Sequence, residues 1–288
     1  MKLALGTAQI GLNYGIANKN GRLHKEEAKK LLYLARDNGI DTLDTAIAYG
    51  LSESVLGEAG VAGWRVISKL PAVPDGCKNI EAWVFQQVER SLSRLGIKQL
   101  YGLLLHNPQQ LLQAEGAALY SALNKIKAVG HAQKVGASVY LDANTSNILE
   151  QYRLDLIQAP FSIFDQRLLK TGLAERLHRE GIEIHTRSAF LQGLLLMPAK
   201  DRPAKFNPWN AHWQEWDRWL TLHNLTPLDA CMQYIHSFEW IDRVVVGVDL
   251  PVHLAEILNA ASSPLPVLPN FAPILDERLI NPASWSQF

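Results

Sequence analysis

Short apolar runs alternate with longer amphipathic stretches along the chain. In residues 25–38, for example, Leu31, Leu32 and Ala35 recur at the spacing of one helical face, and Gly39 is typical of a helix end. The intervening runs are short and almost entirely apolar, which is typical of parallel strands covered on both faces. The pattern therefore predicts strands and helices in strict alternation.

Eight strand-then-helix units predict an α/β fold of the (β/α)8 TIM-barrel type, formed as a single domain over residues 1–288. An open, doubly wound sheet is the alternative, but the first loop, GTAQIGLNYG, lacks the GxGxxG spacing typical of that fold. The proline-rich residues 261–288 are expected to form an extended C-terminal tail. The predicted strands are residues 3–8, 41–46, 65–70, 100–106, 134–138, 155–162, 182–189 and 243–248, and the predicted helices are residues 25–38, 53–59, 79–95, 116–129, a helix after Asp142, 168–180, 209–238 with a break at Pro227, and 251–260.

Composition narrows the class of protein. The 28 basic and 28 acidic side chains give a formal net charge of zero, which argues against nucleic acid or an anionic membrane as a partner. No apolar run approaches the roughly 20 residues that cross a bilayer. Cys77 and Cys231 are too far apart in sequence for a metal or disulfide motif. We therefore expect a cytoplasmic protein with no membrane, nucleic-acid or metal partner.

Four residues with useful chemistry lie at or just after predicted strands. Asp44 ends the second strand, Lys69 lies near the end of the third, His106 ends the fourth, and Tyr49 follows Asp44 in a loop. In a barrel, the carboxyl ends of the strands meet at one mouth. We therefore expect these four side chains to converge.

The four types of side chain together form a proton-delivery site. A tyrosine is a weak acid at neutral pH, with an unperturbed pKa near 10, and a nearby ammonium stabilises its phenolate. A carboxylate keeps a buried lysine charged by pairing with it, and an imidazole can donate a hydrogen bond to a substrate oxygen. This set suits protonation of a carbonyl oxygen while a hydride reaches the carbon.

The motifs that surround these residues resemble the aldo/keto reductase family. They are LGTAQ, GIDTLDTAIAYG, SKL and LLLHNP, and the resemblance covers essentially the whole chain. It implies a (β/α)8 barrel that binds a nicotinamide cofactor in extended form and reduces a small-molecule aldehyde or ketone. It also implies a catalytic tetrad with Tyr49 as general acid, Lys69 and Asp44 as groups that tune it, and His106 as the group that orients the carbonyl.

The same resemblance implies a set of cofactor-binding residues. Ser138 and Gln158 match residues that hold the nicotinamide amide, although Val139 stands where the family often has Asn. Ser188, Leu191 and Gly193 match the pyrophosphate loop after the seventh strand. The full implied set is Gly6, Thr7, Ser138, Gln158, Ser188, Phe190, Leu191, Gly193, Gly247, Asp249, His253 and Glu256.

The resemblance favours NADP(H) over NAD(H), but the segment GVDLPVHLAEIL lacks the Arg or Lys that usually binds the 2′-phosphate. A carboxylate at Asp249 would repel a 2′-phosphate and could accept a hydrogen bond from a 2′-hydroxyl. Tyr14, in the loop after the first strand, is a candidate substrate contact. The stretch GLNYGIANKNG also resembles members of the family found among bacterial sugar genes, which indicates a sugar-like substrate.

Two other functions remain open from the sequence. Proteins of this fold also serve as cofactor-binding regulatory subunits with little turnover, and fold alone does not fix function. A barrel isomerase or aldolase could use Lys69 as a Schiff base. However, a lysine paired with Asp44 stays protonated and is a poor nucleophile.

Overall fold

Eight parallel strands close into a barrel in the computed structural model, which describes residues 2–261, 269, 271 and 274–287. Each strand pairs with the next along the chain, and β1 pairs with β8 to complete the ring. The predicted TIM barrel is therefore confirmed. The strands are β1 Leu3–Gly6, β2 Thr42–Asp44, β3 Arg65–Leu70, β4 Leu100–Leu105, β5 Ala132–Ser138, β6 Leu156–Pro160, β7 Glu183–Arg187 and β8 Arg243–Gly247.

Helices connect successive strands and cover the outside of the barrel. This is the arrangement that right-handed parallel crossovers produce. The α-helices are α1 Ala8–Gly11, α2 Lys25–Asp37, α3 Ser52–Ala59, α4 Ile80–Leu95, α5 Gly116–Ala128, α6 Ala143–Gln151, α7 Arg167–Lys170, α8 Leu173–Arg179, α9 Asn210–His223, α10 Pro227–His236, α11 Pro251–Ala260 and α12 Glu277–Ile280.

The apolar core has two parts. The large part includes strand residues such as Leu3 and Leu5 of β1 and helix residues such as Leu31 of α2 and Val84 of α4. A second, small cluster consists of Ile67, Leu104 and Leu156 from three different strands. Because side chains alternate between the two faces of each strand, every strand contributes both to the wall and to the barrel interior.

Local capping signals in the sequence set several helix ends. The Thr226 hydroxyl accepts a hydrogen bond from the Asp229 backbone N–H, and Pro227 occupies the first turn of α10. Asn79 caps α4 in the same way, and Gly96 ends it with φ +65°. A proline at the first helical position and a glycine just past the end are the expected asymmetry of helix termini. The predicted break at Pro227 is confirmed.

The structure departs from the prediction in several places. The predicted helix 168–180 is two short helices, α7 and α8, because Gly172 interrupts it with φ +74°. The first strand ends at Gly6, since α1 begins at Ala8. Within the expected extended tail, residues 274–287 contain α12 and a 3-10 helix, and Trp285 packs on Phe206 with ring centroids 5.0 Å apart. Most of residues 262–273 lie outside the described residues.

Among the described residues, no helix combines the length and the apolar character needed to span a membrane.

Candidate active site

The four predicted catalytic side chains meet at one end of the barrel. Asp44 ends β2, Lys69 lies in β3, and His106 directly follows β4. Tyr49 lies between β2 and α3, and its ring contacts that of His106 edge-on at a centroid distance of 5.9 Å. The Lys69 ammonium lies 5.1 Å from the centroid of the Tyr49 ring. The predicted convergence is confirmed in its geometry.

Asp44 and Lys69 form a buried ion pair. Lys69 Nζ donates to Asp44 Oδ1 at 2.6 Å and to the Thr45 carbonyl at 3.0 Å, and the lysine is 1% exposed. Burial by itself lowers the pKa of Lys69, but the attraction of Asp44 and Tyr49 outweighs it, so the pKa is raised. Lys69 therefore stays charged beside the tyrosine, which disfavours the Schiff-base alternative.

Gln158 completes the surroundings of the aspartate. Its Nε2 donates to Asp44 Oδ2 at 2.6 Å, while Ser138 Oγ donates to Gln158 Oε1 at 3.5 Å. Both carboxylate oxygens of Asp44 are thus occupied, one by an ammonium and one by an amide. The sequence resemblance assigned Gln158 to the cofactor only, and it carried no signal for this second contact.

Close packing of small residues positions Tyr49. A side chain on Gly11 would place its Cβ 1.7 Å from the Tyr49 carbonyl oxygen, so only glycine permits the approach. Three residues further on, Ser52 Oγ donates to Thr7 Oγ1 at 2.8 Å. The loop that carries Tyr49 is therefore fixed against the end of β1.

A buried acid anchors the helix that follows this loop. Glu53, 2% exposed, accepts hydrogen bonds from Ser68 of β3 and Ser91 of α4, and it forms an ion pair with Arg94. These bonds satisfy the charge that burial would otherwise penalise. They hold α3 against β3, the strand that carries Lys69.

His106 is neutral in this setting. Burial is the largest cause of its lowered pKa and acts together with the positive charge of Lys69, and despite the opposing effect of Asp44 the pKa falls from 6.5 to about 4. A neutral imidazole has one N–H donor and one acceptor nitrogen. At neutral pH, His106 can thus donate a hydrogen bond without adding a positive charge.

A cavity of about 500 Å³ opens at this end of the barrel. Asp44 and Tyr49 line one part, and residues of α11 such as Glu256 and Ile257 line another. Of the predicted cofactor residues, Gly6, Thr7, Gln158, Ser188, Phe190, Gly193, Gly247, Asp249, His253 and Glu256 line the cavity, as does the predicted substrate contact Tyr14. These residues thus share one cavity wall, and their roles in binding cofactor and substrate stay predictions.

Two predicted cofactor residues are not part of the cavity wall. Leu191 is fully buried, and Ser138 is 4% exposed and contacts Gln158. Leu191 instead belongs to the large apolar core. The sequence does not show which way either side chain points.

The loop after β7 has an unusual backbone. Ser188, Leu191 and Gln192 have positive φ values of 66°, 46° and 54°, and Gly193 follows at 90°. Such conformations cost of order 1–3 kcal/mol each for non-glycine residues and concentrate at functional sites. This loop meets the loop after β1, where the Ala17 N–H donates to the Gln192 carbonyl at 3.4 Å.

Many residues of the cavity wall were not predicted from the sequence, among them Arg187 and Gln9. Arg187, the last residue of β7, lines the cavity, and so does Gln9 of α1. Gln9 lies within the LGTAQ motif and packs against Gly247, where an added Cβ would come within 2.7 Å of its amide. For Arg187 a signal existed, because it is a charged residue at the carboxyl end of a predicted strand.

Comparison with known proteins agrees with this geometry. The chain is 25% identical to a D-threo-aldose 1-dehydrogenase of a Pseudomonas species, over 91% of this chain and 92% of that protein. It is 29% identical to the NADH-specific methylglyoxal reductase of Escherichia coli strain K12, over 67% of this chain and 65% of that protein.

Solved structures share the fold. An aldo-keto reductase of Bacillus halodurans in its holo form superposes with a TM-score of 0.75 at 18% identity, over 96% of this chain and 95% of that chain. An aldo-keto reductase structure from Pseudomonas aeruginosa gives a TM-score of 0.67 at 24% identity, over 91% of this chain and 89% of that chain. At these identities the likeness establishes the barrel alone.

The sequence profile of the Aldo/keto reductase family matches residues 2–267, which is nearly the whole chain. With the closed barrel and the buried Asp44–Lys69 pair beside Tyr49, this match shows that the chain belongs to the Aldo/keto reductase family and is an NAD(P)-dependent oxidoreductase.

Proposed function

We propose that this enzyme reduces an aldehyde or ketone to an alcohol, and that Tyr49 delivers the proton to the carbonyl oxygen. The observation that carries the proposal is the charged Lys69, buried and paired with Asp44, 5.1 Å from the Tyr49 ring. A phenol beside a fixed ammonium can release its proton to a neighbouring oxygen, because the positive charge stabilises the phenolate that remains.

Each residue of the site has a distinct role in this reaction. Asp44 keeps Lys69 charged and oriented. Neutral His106 donates a hydrogen bond to the carbonyl oxygen and so holds it near the Tyr49 hydroxyl. After proton transfer the phenolate faces the Lys69 ammonium, and the alcohol leaves the mouth of the barrel.

The cavity fits a dinucleotide bound in extended form. Its wall continues from Asp44 and Gln158, past the strained loop that contains Ser188, to His253 of α11. Gly6 and Gly247 lie side by side in β1 and β8, and neither contributes a side chain to this part of the wall. When bound, the reduced nicotinamide cofactor supplies the hydride that reaches the carbonyl carbon.

Replacing Tyr49 with Phe tests the proton donor. We expect kcat to fall by about 10²- to 10⁴-fold, because general acid catalysis is lost. The affinity for reduced cofactor should be unchanged, since the ring that contacts Lys69 and His106 remains. Stopped-flow absorbance of NADH oxidation and tryptophan fluorescence titration measure the two quantities.

Tyr14→Phe is the matched control, because it removes another phenol from the same cavity. We expect it to change KM while kcat stays within about tenfold of the native value. Equal turnover by the Tyr49→Phe variant and the native enzyme would remove Tyr49 from the mechanism. Tight cofactor binding with no reduction of any carbonyl compound would instead support the regulatory-subunit alternative.

A small oxygenated carbonyl compound is the substrate class that we propose. One similar protein is named for a D-threo-aldose and another for methylglyoxal. Tyr14 and Tyr49 provide hydroxyl groups in the cavity wall, and both can hydrogen-bond to such a substrate. This supports the sugar-like substrate expected from the sequence. The expected cytoplasmic location stays a prediction.

We further propose that the cofactor is NADH, against the preference for NADP(H) that the family resemblance gave. Asp249, His253 and Glu256 line the cavity beyond β8. The segment 247–257 contains two carboxylates and no Lys or Arg. A carboxylate there repels a 2′-phosphate. The similarity to an NADH-specific reductase supports the same choice.

Fluorescence titration of the native enzyme and of Asp249→Asn tests this choice. We expect the native enzyme to bind NADH at least about tenfold tighter than NADPH, because the repulsion costs roughly 1.4 kcal/mol or more. The Asp249→Asn variant should bind NADPH more tightly, and the difference between its affinities for NADH and NADPH should therefore be smaller. A native preference for NADPH would restore the expectation drawn from the sequence.

A further inference from the structure

Arg187 is a charged residue of the cavity wall that has no role in the proposed reaction. Arg187 ends β7, pairs in register with Pro160 of β6, and lines the same cavity as Tyr49 and Tyr14. The proton transfer described above uses Asp44, Lys69, Tyr49 and His106 only. A guanidinium in the cavity wall therefore needs a separate explanation.

Arg187 differs from the other half-buried arginines in lacking a carboxylate partner. Within the described part of the chain, every other half-buried arginine forms an ion pair, whereas Arg187 forms none. Partial burial of an unpaired charge is costly unless a partner arrives. The paired arginines are Arg94 with Glu53, Arg167 with Asp165, Arg176 with Glu180, Arg202 with Asp217 and Arg243 with Asp41.

Neutral contacts hold the guanidinium in place. Its Nη2 donates to the Val139 carbonyl at 2.9 Å, and its Nη1 donates to Ser188 Oγ at 3.4 Å. The guanidinium carbon lies 4.4 Å from the centroid of the Tyr140 ring. A guanidinium has five N–H donors, so these contacts leave others for a ligand. The group is thus oriented without being neutralised.

The positive charge of Arg187 affects the pKa values of His106 and Tyr14. It contributes to lowering the pKa of His106, after burial and Lys69. It also partly offsets the rise in the pKa of Tyr14 that burial causes. No acid in the described part of the chain forms an ion pair with Arg187, so its positive charge is available to an anion in the cavity.

We propose that Arg187 binds an anionic group, a carboxylate or a phosphate, carried by the carbonyl substrate. The planar guanidinium fork matches the oxygens of either group and can bind them through two parallel hydrogen bonds. Such a contact holds the substrate with its carbonyl toward Tyr49 and His106. This inference rests on the proposed function, since it names the substrate class of the same site. The other source of a bound anion is the pyrophosphate of the cofactor, because Ser188 is a predicted contact for it.

Matched substrate pairs test the proposal in the native enzyme, Arg187→Gln and Arg187→Lys. The pairs are 4-oxobutanoate with its methyl ester, and glyceraldehyde 3-phosphate with glyceraldehyde. We expect Arg187→Gln to lower kcat/KM for the anionic members by on the order of 100-fold and to change the neutral members by less than about threefold. Arg187→Lys should retain part of the preference, because it keeps the charge and loses the planar fork.

Lys19→Gln is the control, because Lys19 is a second cation in the cavity wall. We expect it to leave the ratio of anionic to neutral substrates unchanged. A loss of that ratio in Lys19→Gln with none in Arg187→Gln would overturn the assignment. An equal fall for anionic and neutral members in Arg187→Gln would also overturn it, since that outcome indicates a structural role.

The dissociation constant for NADH separates the two sources of anion. If Arg187→Gln leaves the dissociation constant for NADH unchanged, the anion that Arg187 binds belongs to the substrate. If that constant rises by about tenfold or more while the ratio of kcat/KM for anionic and neutral substrates is unchanged, Arg187 binds the cofactor.

Substrate binding can also be compared without turnover. In the Tyr49→Phe background with NADH bound, 4-oxobutanoate should bind tighter than its methyl ester, and Arg187→Gln should abolish the difference. If no carbonyl compound is reduced by the native enzyme, the proposed function fails, and this binding measurement still decides the role of Arg187.

Discussion

The surroundings of His106 determine the protonation state of its imidazole. As an isolated side chain it would be partly protonated near neutral pH. Burial and the Lys69 ammonium instead lower its pKa to about 4, so it is neutral over the whole physiological range. A protonated imidazole could compete with Tyr49 as the proton donor. The low pKa therefore supports the proposal that the phenol delivers the proton.

We expect the NMR titration of His106 to show a midpoint near pH 4. The Lys69→Met variant should raise the midpoint, because it removes a positive charge that disfavours protonation. The midpoint should stay below 6.5, since burial is the larger cause and remains. His106→Gln identifies the resonance by its disappearance. A native midpoint near 6.5 would contradict the buried, neutral imidazole.

The same shift affects stability in a defined pH range. The unfolded chain binds the His106 proton near pH 6.5, whereas the folded protein binds it only near pH 4. The contribution of the neutral imidazole to stability is therefore complete above pH 6.5 and is lost progressively as the pH falls from 6.5 to about 4.

The loop after β7 has a backbone conformation that brings it into contact with the loop after β1. It covers one side of the cavity only because its backbone adopts positive φ at several positions and touches the loop after β1. Gly193, with φ +90°, is the closest point, since an added Cβ would lie 2.4 Å from the Cβ of Ala17. Backbone strain and a steric limit therefore coincide at this contact.

Gly193→Ala should destabilise the protein by about 1–3 kcal/mol, as positive φ and the clash with Ala17 add together. Gly172→Ala is the matched control, because Gly172 has φ +74° with no atom within 4 Å of an added Cβ. Gly172→Ala should lower the free energy of unfolding by about 1 kcal/mol, because only the positive φ value disfavours alanine there. Urea unfolding measures both variants.

The double variant Ala17→Gly with Gly193→Ala separates the two terms of that prediction. Removing the Ala17 methyl group should recover the steric part of the loss and leave the backbone part. If Gly193→Ala and Gly172→Ala cost the same, the two loops do not meet as closely as the structure shows.

At the scale of the whole molecule, barrel closure brings the site together. Asp44, Lys69 and His106 are 25 and 37 residues apart along the chain (69 − 44 and 106 − 69), yet parallel pairing of β2 with β3 and of β3 with β4 places them side by side. Pairing of β1 with β8 brings the residues near Asp249 to the same mouth. A cavity lined by residues from the first and the last strands of the chain can form only when the ring of strands is complete.

The strand–helix alternation is predictable from the sequence alone, because hydrophobic periodicity is a local property that packing then preserves. Most strand and helix boundaries were predicted to within about two residues, and α11 and β3 were predicted without error. The convergence of Asp44, Tyr49, Lys69 and His106 was predictable because each lies near the end of a strand or after it, within a recognisable motif. The split between α7 and α8 was not predicted, since an isolated glycine inside a helical pattern can be tolerated or can break it.

The interactions between side chains of distant strands follow from the tertiary structure and not from local sequence. The bond from Gln158 to Asp44 joins residues 114 positions apart, and no local pattern encodes it. The unpaired state of Arg187 is likewise visible only once its surroundings are known. Periodicity fixes which face of an element is buried, whereas hydrogen bonds, ion pairs and pKa shifts depend on distances of a few ångströms that arise only when the barrel closes.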